Sequence, residues 1–338
     1  MAKTLNRRNF LRNSIVAGGA AVAWPSFEEK VLGAEMKTAK PAAATGAVAQ
    51  ADPLQLPKGK IGNLAISRMI CGGNLIGGWA HSRDLIYVSK LLKAYHTDVK
   101  FFETLHLAER RGVNTVLTNP AADRVMNDYW NLEGGKIQWI SDCASGDLKD
   151  SIRRSVDGGA HADYLQGGIC DKLVLEGKLA TIEEGLKFMQ ACKVPCGLGA
   201  HSLETVKKCV SAGLEPDFWV KTLHQDNYWS ATPEKNRQPF DEITPRNMDH
   251  NQQHDNMWCT NAKETIAYMG ALKKPWIAFK VLAAGAIHPR LAFQWAFESG
   301  ADFICVGMFD FQVVENTGIA ERALAAVAEK GRTRPWMA

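Results

Sequence analysis

CGLGAHSLETVKKCVSAGLEPDFWVKTLH, residues 196–224, holds one complete strand–helix–strand unit. The apolar run 196–200 has the length of a buried strand. Ser202 is placed to cap a helix over 203–212, and Gly213 to end it. Residues 218–224 then return as a second strand rich in aromatic and β-branched side chains. Two parallel strands can be joined only by such a crossover, so the unit reads as βαβ.

The same rhythm extends outward in both directions. Strands are predicted at 66–72, 114–119, 137–143, 163–166, 196–200, 218–224, 276–282 and 303–308, with helices at 99–111, 148–156, 181–192, 203–212, 289–298 and 319–328. Eight such repeats predict an α/β chain closed as a (β/α)8 (TIM) barrel, a single domain over 58–338. An open doubly wound sheet would want Gly-x-Gly-x-x-Gly after its first strand. Cys71-Gly72-Gly73-Asn74-Leu75-Ile76-Gly77-Gly78 does not have that spacing.

One unit is irregular. A long polar loop, 225–261, follows the sixth strand and carries Asn227, Tyr228, Trp229, His250, His254, Asp255 and Trp258. It reads either as a lid whose aromatic platforms suit a carbohydrate-like substrate, or as a surface excursion.

Ahead of the barrel, Asn6-Arg7-Arg8-Asn9-Phe10-Leu11-Arg12 and the apolar run 14–24 resemble a twin-arginine export signal. The run is about half the ~20 residues of a membrane span, and Pro25, Glu28, Glu29 and Lys30 close it. The expectation is a signal over 1–35, a linker over 36–57, passage through the twin-arginine export machinery, and a periplasmic or other extracytoplasmic location without a membrane anchor. That route carries folded proteins, so a cofactor can travel with the chain.

With 338 residues, 46% hydrophobic and 22% charged, the composition is that of an ordinary globular protein. The net charge of +4 is small, and no basic stripe interleaves with aromatics, which argues against nucleic-acid binding. The eight cysteines fall mostly in or beside predicted strands and read as buried thiols. The spacing of Cys192 and Cys196 matches no zinc pattern.

In such barrels the reacting groups project from the C-terminal ends of strands. That rule selects Asp142, Gln166, His201, His224, Lys280 and Asp310, with Asn74 and Asn119 after the first two strands. Alternation places Val220, Thr222 and His224 on the inner face of the sixth strand, and Ala278 with Lys280 on the inner face of the seventh. His201 and His224 end neighbouring strands ~5 Å apart, close enough to share a proton or, with Asp142, a divalent metal. Lys280 is an electrostatic clamp, a Schiff-base nucleophile or a snorkelling structural residue. Asn74, Asn119, Gln166, Tyr228, Trp229 and Asp310 are the substrate-contact candidates.

Several segments resemble the aldo/keto reductase superfamily. They are Gly62 to Gly73 at the start, Arg111-Gly112-Val113-Asn114-Thr115, Gly197 to Glu204, Lys280-Val281-Leu282-Ala283-Ala284-Gly285, and Gly307 with Gln312 to Asn316. The resemblance implies a (β/α)8 barrel and a nicotinamide cofactor, NADP, with part of its site at the last two strands. It also implies an Asp and a Tyr after the second strand, a Lys on the third and a His on the fourth. The matching stretches here are Leu117 to Asp123, Ser141-Asp142-Cys143 and Gln166-Gly167-Gly168, and none supplies the residue. Asp123 and Tyr129 lie nearby at a different spacing and read as a helix-surface acid and a packing ring. Phe309-Asp310-Phe311 puts an acid where a phosphate would need cations.

The chain therefore reads as an exported barrel enzyme of reductase-like ancestry, doing acid–base or metal-assisted chemistry of lyase, isomerase or hydrolase type on a polar small molecule. The alternatives are an NADP-dependent oxidoreductase exported with its cofactor, and a non-catalytic small-molecule binding protein.

Overall fold

The computed structural model describes residues 51–79, 87–144, 147–240, 257–332 and 334–338. The expected export signal, and His250, His254 and Asp255 of the long loop, lie outside the described residues.

The first two strands form a hairpin that the sequence reading did not separate from the barrel. β1 (Lys58–Ile61) and β2 (Leu64–Ser67) pair antiparallel, and Gly62, at φ 56°, turns the two-residue loop between them. The first barrel strand is then β3 (Met69–Gly72), followed by α1 (Val88–Tyr95), α2 (Asp98–Arg110), β4 (Thr115–Thr118), α3 (Asp123–Asn131), β5 (Gln138–Cys143) and α4 (Leu148–Asp157). The second half runs β6 (Ala162–Leu165), α5 (Gly167–Leu175), α6 (Leu179–Ala191), β7 (Cys196–Ala200), α7 (Leu203–Ser211), β8 (Phe218–Thr222) and α8 (Ala262–Ala271). It ends with β9 (Trp276–Phe279), α9 (Pro289–Glu298), β10 (Phe303–Gly307) and α10 (Asp310–Lys330).

β3 to β10 close into one parallel barrel in sequential order, β10 pairing with both β9 and β3. The chain is thus the α/β (β/α)8 barrel that its repeats predict. Alternation along each strand sorts the core into two layers. Ile70, Leu117, Ile140, Tyr164, Phe218, Val220, Ile277 and Phe303 fill the barrel. Trp139, Trp219 and Trp276 face the helices, all buried. Truncating such a side chain costs about 3–5 kcal/mol, so these three rings carry much of the strand-to-helix adhesion.

β8 and β9 end before their predicted limits of 224 and 282, and this changes which way site residues point. β9 ends at Phe279, and it is Ile277 and Phe279 that face inward while Ala278 packs outward. Lys280 is therefore not part of the alternation. It leaves the strand at φ 57°, a left-handed conformation that costs a non-glycine residue of order 1–3 kcal/mol. β8 ends at Thr222, so alternation does not govern His224 either.

Seven cysteines are buried free thiols, and Cys192 is half-buried. Among the described residues no helix is long and apolar enough to cross a membrane.

Candidate functional site

The C-terminal ends of the strands surround two adjoining chambers. One, of about 650 Å³, is lined by Asn119, Asp142, Tyr164, Gln166 and His201 among others. The other, of about 600 Å³, lies over the ends of β3, β9 and β10. Asn74, Trp79, Trp258, Phe279 and Lys280 line both.

In the polar chamber, Asp142 projects from β5 directly beside Tyr164 of β6 in the sheet register. Its Oδ1 is buried without a hydrogen-bond partner. Burial pushes this carboxyl up to about 7, against the opposing pull of the Lys280 charge. A carboxyl so placed exists in both protonation states at neutral pH.

His201 follows β7 and is held by a residue that sequence reasoning missed. Asp171, fully buried on α5, accepts hydrogen bonds from the His201 backbone N (2.9 Å) and from Nδ1 (3.0 Å), and one from Ser202 N (3.3 Å). A carboxylate on Nδ1 fixes the proton there and leaves Nε2 as the basic nitrogen of a ring that lines the chamber. Burial lowers the His201 pKa, and Asp171 pulls it partly back. The approach of α5 to β7 depends on glycine. A Cβ on Gly199 would lie 2.6 Å from Gly167 N and 2.7 Å from Leu165 O.

Lys280 places its ammonium 4.3 Å from the Trp258 ring centroid and 4.9 Å from that of Phe279. Trp258 reaches the cavity from the far end of the long loop, and His224 is what secures it. Nδ1 of His224 donates to Gln225 O at 2.7 Å, and Nε2 accepts from both Trp258 N and Cys259 N at 3.0 Å. The Thr222 hydroxyl donates to Trp258 O at 2.6 Å. His224 is fully buried, and desolvation lowers its pKa to about 4, so the ring is neutral.

These contacts correct the pairing of His201 with His224. Both ring nitrogens of His224 are occupied by backbone, which leaves no lone pair for a metal or a substrate proton. The His201, His224 and Asp142 metal triad is not assembled, and among the described residues no group of three His, Cys, Asp or Glu side chains is placed to hold a metal ion. Asp310 also lies outside the chambers, accepting from Tyr95 Oη and from Lys100 Nζ (2.9 Å). Tyr228 packs edge-on against His224, and Trp229 is 78% exposed; neither lines the cavity, so the sugar platform is not formed by them.

Asn119 and Gln166 do line it, each with its side-chain oxygen capping a helix start, accepting from Ala121 N (2.9 Å) and Ile169 N (3.0 Å). Asn74 lines both chambers. Tyr129 donates to Glu109 at 2.8 Å, and Asp123 pairs with Arg154, so both have structural partners.

The chamber over β9 and β10 does not fit the phosphates of a dinucleotide. Val281, Leu282, Ala284, Val306 and Phe309 dominate its wall, and Lys280 is its single cation among the described residues. At the start of α10, Phe309 N donates to Gln312 Oε1 at 3.1 Å, and Asp310 in the first turn brings negative charge where a phosphate would sit.

No protein-family model and no curated protein matches the chain. Solved structures do. A Pseudomonas aeruginosa protein described provisionally as an aldo-keto reductase is 17% identical with a TM-score of 0.53, covering 81% of this chain and 97% of its own. N-acetylneuraminic acid (sialic acid) synthetase from Leptospira borgpetersenii is 11% identical with a TM-score of 0.46, covering 83% and 93%. Dihydropteroate synthase from Yersinia pestis is 13% identical with a TM-score of 0.40, covering 80% and 99%. At 17% identity the likeness to the first of these is one of fold, and function has to be argued from the site.

Proposed function

We propose that this protein is an exported enzyme that transfers protons on a small polar carbonyl or hydroxyl compound. The observation that carries this reading is the convergence of an unpartnered, buried Asp142 oxygen, the Asp171-held His201 and the Lys280 ammonium on one chamber. In the proposed step, His201 Nε2 takes a proton from the carbon beside a carbonyl. The electron pair moves onto the carbonyl oxygen, where Lys280 stabilises the negative charge. Protonated Asp142 then returns a proton to the neighbouring carbon or to a departing hydroxyl. Such an enolisation serves isomerases and lyases alike.

The cup also contains the four residue types that the reductase resemblance implies, as Asp142, Tyr164, Lys280 and His201, on other strands. Tyr164 is a poor proton donor for carbonyl reduction, because burial, reinforced by Asp142, raises its pKa well above the ordinary tyrosine value. This favours proton transfer over hydride chemistry.

The test is deuterium incorporation from D2O into a panel of 2-oxo and 2-hydroxy carbonyl compounds, read by NMR. His201→Gln and Asp142→Asn are each expected to slow exchange by about 10²- to 10⁴-fold in a folded protein. Exchange absent from the whole panel, or unchanged in both variants, would refute the assignment. Export belongs to the same proposal and is supported by the Arg7-Arg8 segment. Lysine at both positions is expected to retain the protein in the cytoplasm on cell fractionation.

A further inference from the structure

Of the described residues lining the chamber over β3, β9 and β10, Lys280 alone has a part in that proton chemistry. Leu75, Val88, Leu92, Val281, Leu282 and Val306 form its wall, with Asn74, Lys280 and Gln312 as its polar contributors among the described residues. A concave, mostly apolar lining with a few placed polar groups is the usual form of a small-molecule site. At about 600 Å³ it has the volume of a small-molecule site, but not the density of polar partners that a sugar would require.

The chamber is continuous with the polar one. Asn74, Trp79, Trp258, Phe279 and Lys280 form the shared boundary, and the Lys280 ammonium lies over two aromatic rings at the point where the lining changes from polar to apolar. A molecule with its reacting carbonyl near His201 and Asp142 would extend past Lys280 into the sleeve.

We infer that the second chamber holds the apolar arm of an amphiphilic substrate, an alkyl- or aryl-substituted carbonyl or hydroxyl compound. This rests on the proposed function for the identity of the polar end. The arm adds binding energy remote from the chemistry, which positions the reacting end.

The test uses unbranched 2-oxo acids from pyruvate to 2-oxo-octanoate, titrated against the whole protein by tryptophan fluorescence. Affinity is expected to rise by about fourfold per added methylene until the sleeve is full. Val88→Trp, at a half-buried helix position, is expected to flatten that dependence. Absent binding or affinity independent of chain length overturns the inference, as does NADPH competing with the longest acid, which would give the chamber to a dinucleotide. If Val88→Trp fails to fold, the wild-type series still decides. The readout is binding alone. A steep series with no deuterium exchange would remove the catalytic reading and keep the subsite, and exchange with a flat series would do the reverse.

Discussion

Asp171 and His201 make the sharpest residue-level case. Asp171 contributes no surface, yet its carboxylate fixes both the tautomer and the backbone of His201. In Asp171→Asn the raising influence on His201 is lost while desolvation remains, so its pKa falls further below the ordinary histidine value. A base is active when neutral, so the acidic limb of the exchange profile is expected to move to lower pH while the rate at its plateau declines. A purely structural loss would lower the rate without moving the limb. His201, Asp142, Lys280, Asn74, Asn119 and Gln166 were legible in the sequence because strand ends in a barrel are countable. Asp171 was not, since its reach depends on the close passage of Gly167 and Gly199. Asp310 and Tyr228 sit at the right places in the chain, but contacts outside the cup claim them, and Trp229 is exposed.

At the level of elements, the long loop after β8 is the part the sequence described least. Its length and aromatic content were plain, but its anchoring was not. Arg237 holds the outgoing part, donating to Asp226 Oδ2 (2.9 Å), Asp226 O (2.8 Å) and Thr232 O (2.8 Å), while His224 ties the returning part at Trp258 and Cys259. The His224 tie is pH-sensitive. Its folded pKa of about 4 lies below the ordinary 6.5, so between these values the unfolded chain binds a proton that the folded one does not. Stability from this group is complete above pH 6.5 and falls by up to about 1.4 kcal/mol per unit as pH drops toward 4. Asp142 and Asp163, raised from 3.8 to about 7, act in the opposite sense across the whole of that window. The difference in denaturant stability between wild type and His224→Gln isolates the histidine, and it is expected to shrink as pH falls from 6.5 to 4.

For the molecule as a whole, eight strand–helix repeats were readable because short apolar runs alternate with helical patterns and several helices carry their own caps and terminal glycines. The closure of the barrel's other end was not, because its partners are far apart in the chain. Arg334 donates to Asp302 Oδ2 at 2.6 Å and to the carbonyls of Gly300, Leu272 and Lys274, and Arg68 lies 3.9 Å from the Trp336 ring centroid. Both Arg334 and Asp302 are buried. Arg334→Ala leaves that carboxylate without its cation and is expected to cost about 3 kcal/mol in chemical denaturation. The β1–β2 hairpin adds Ile61 and Ile66, fully buried against the inner layer. With Ile61 and Ile66 set against the inner layer, the two described chambers both lie at the strands' C-terminal ends. Under the proposed function, arriving substrate and departing product would share that mouth, so a product that lingers there would hold back the next molecule.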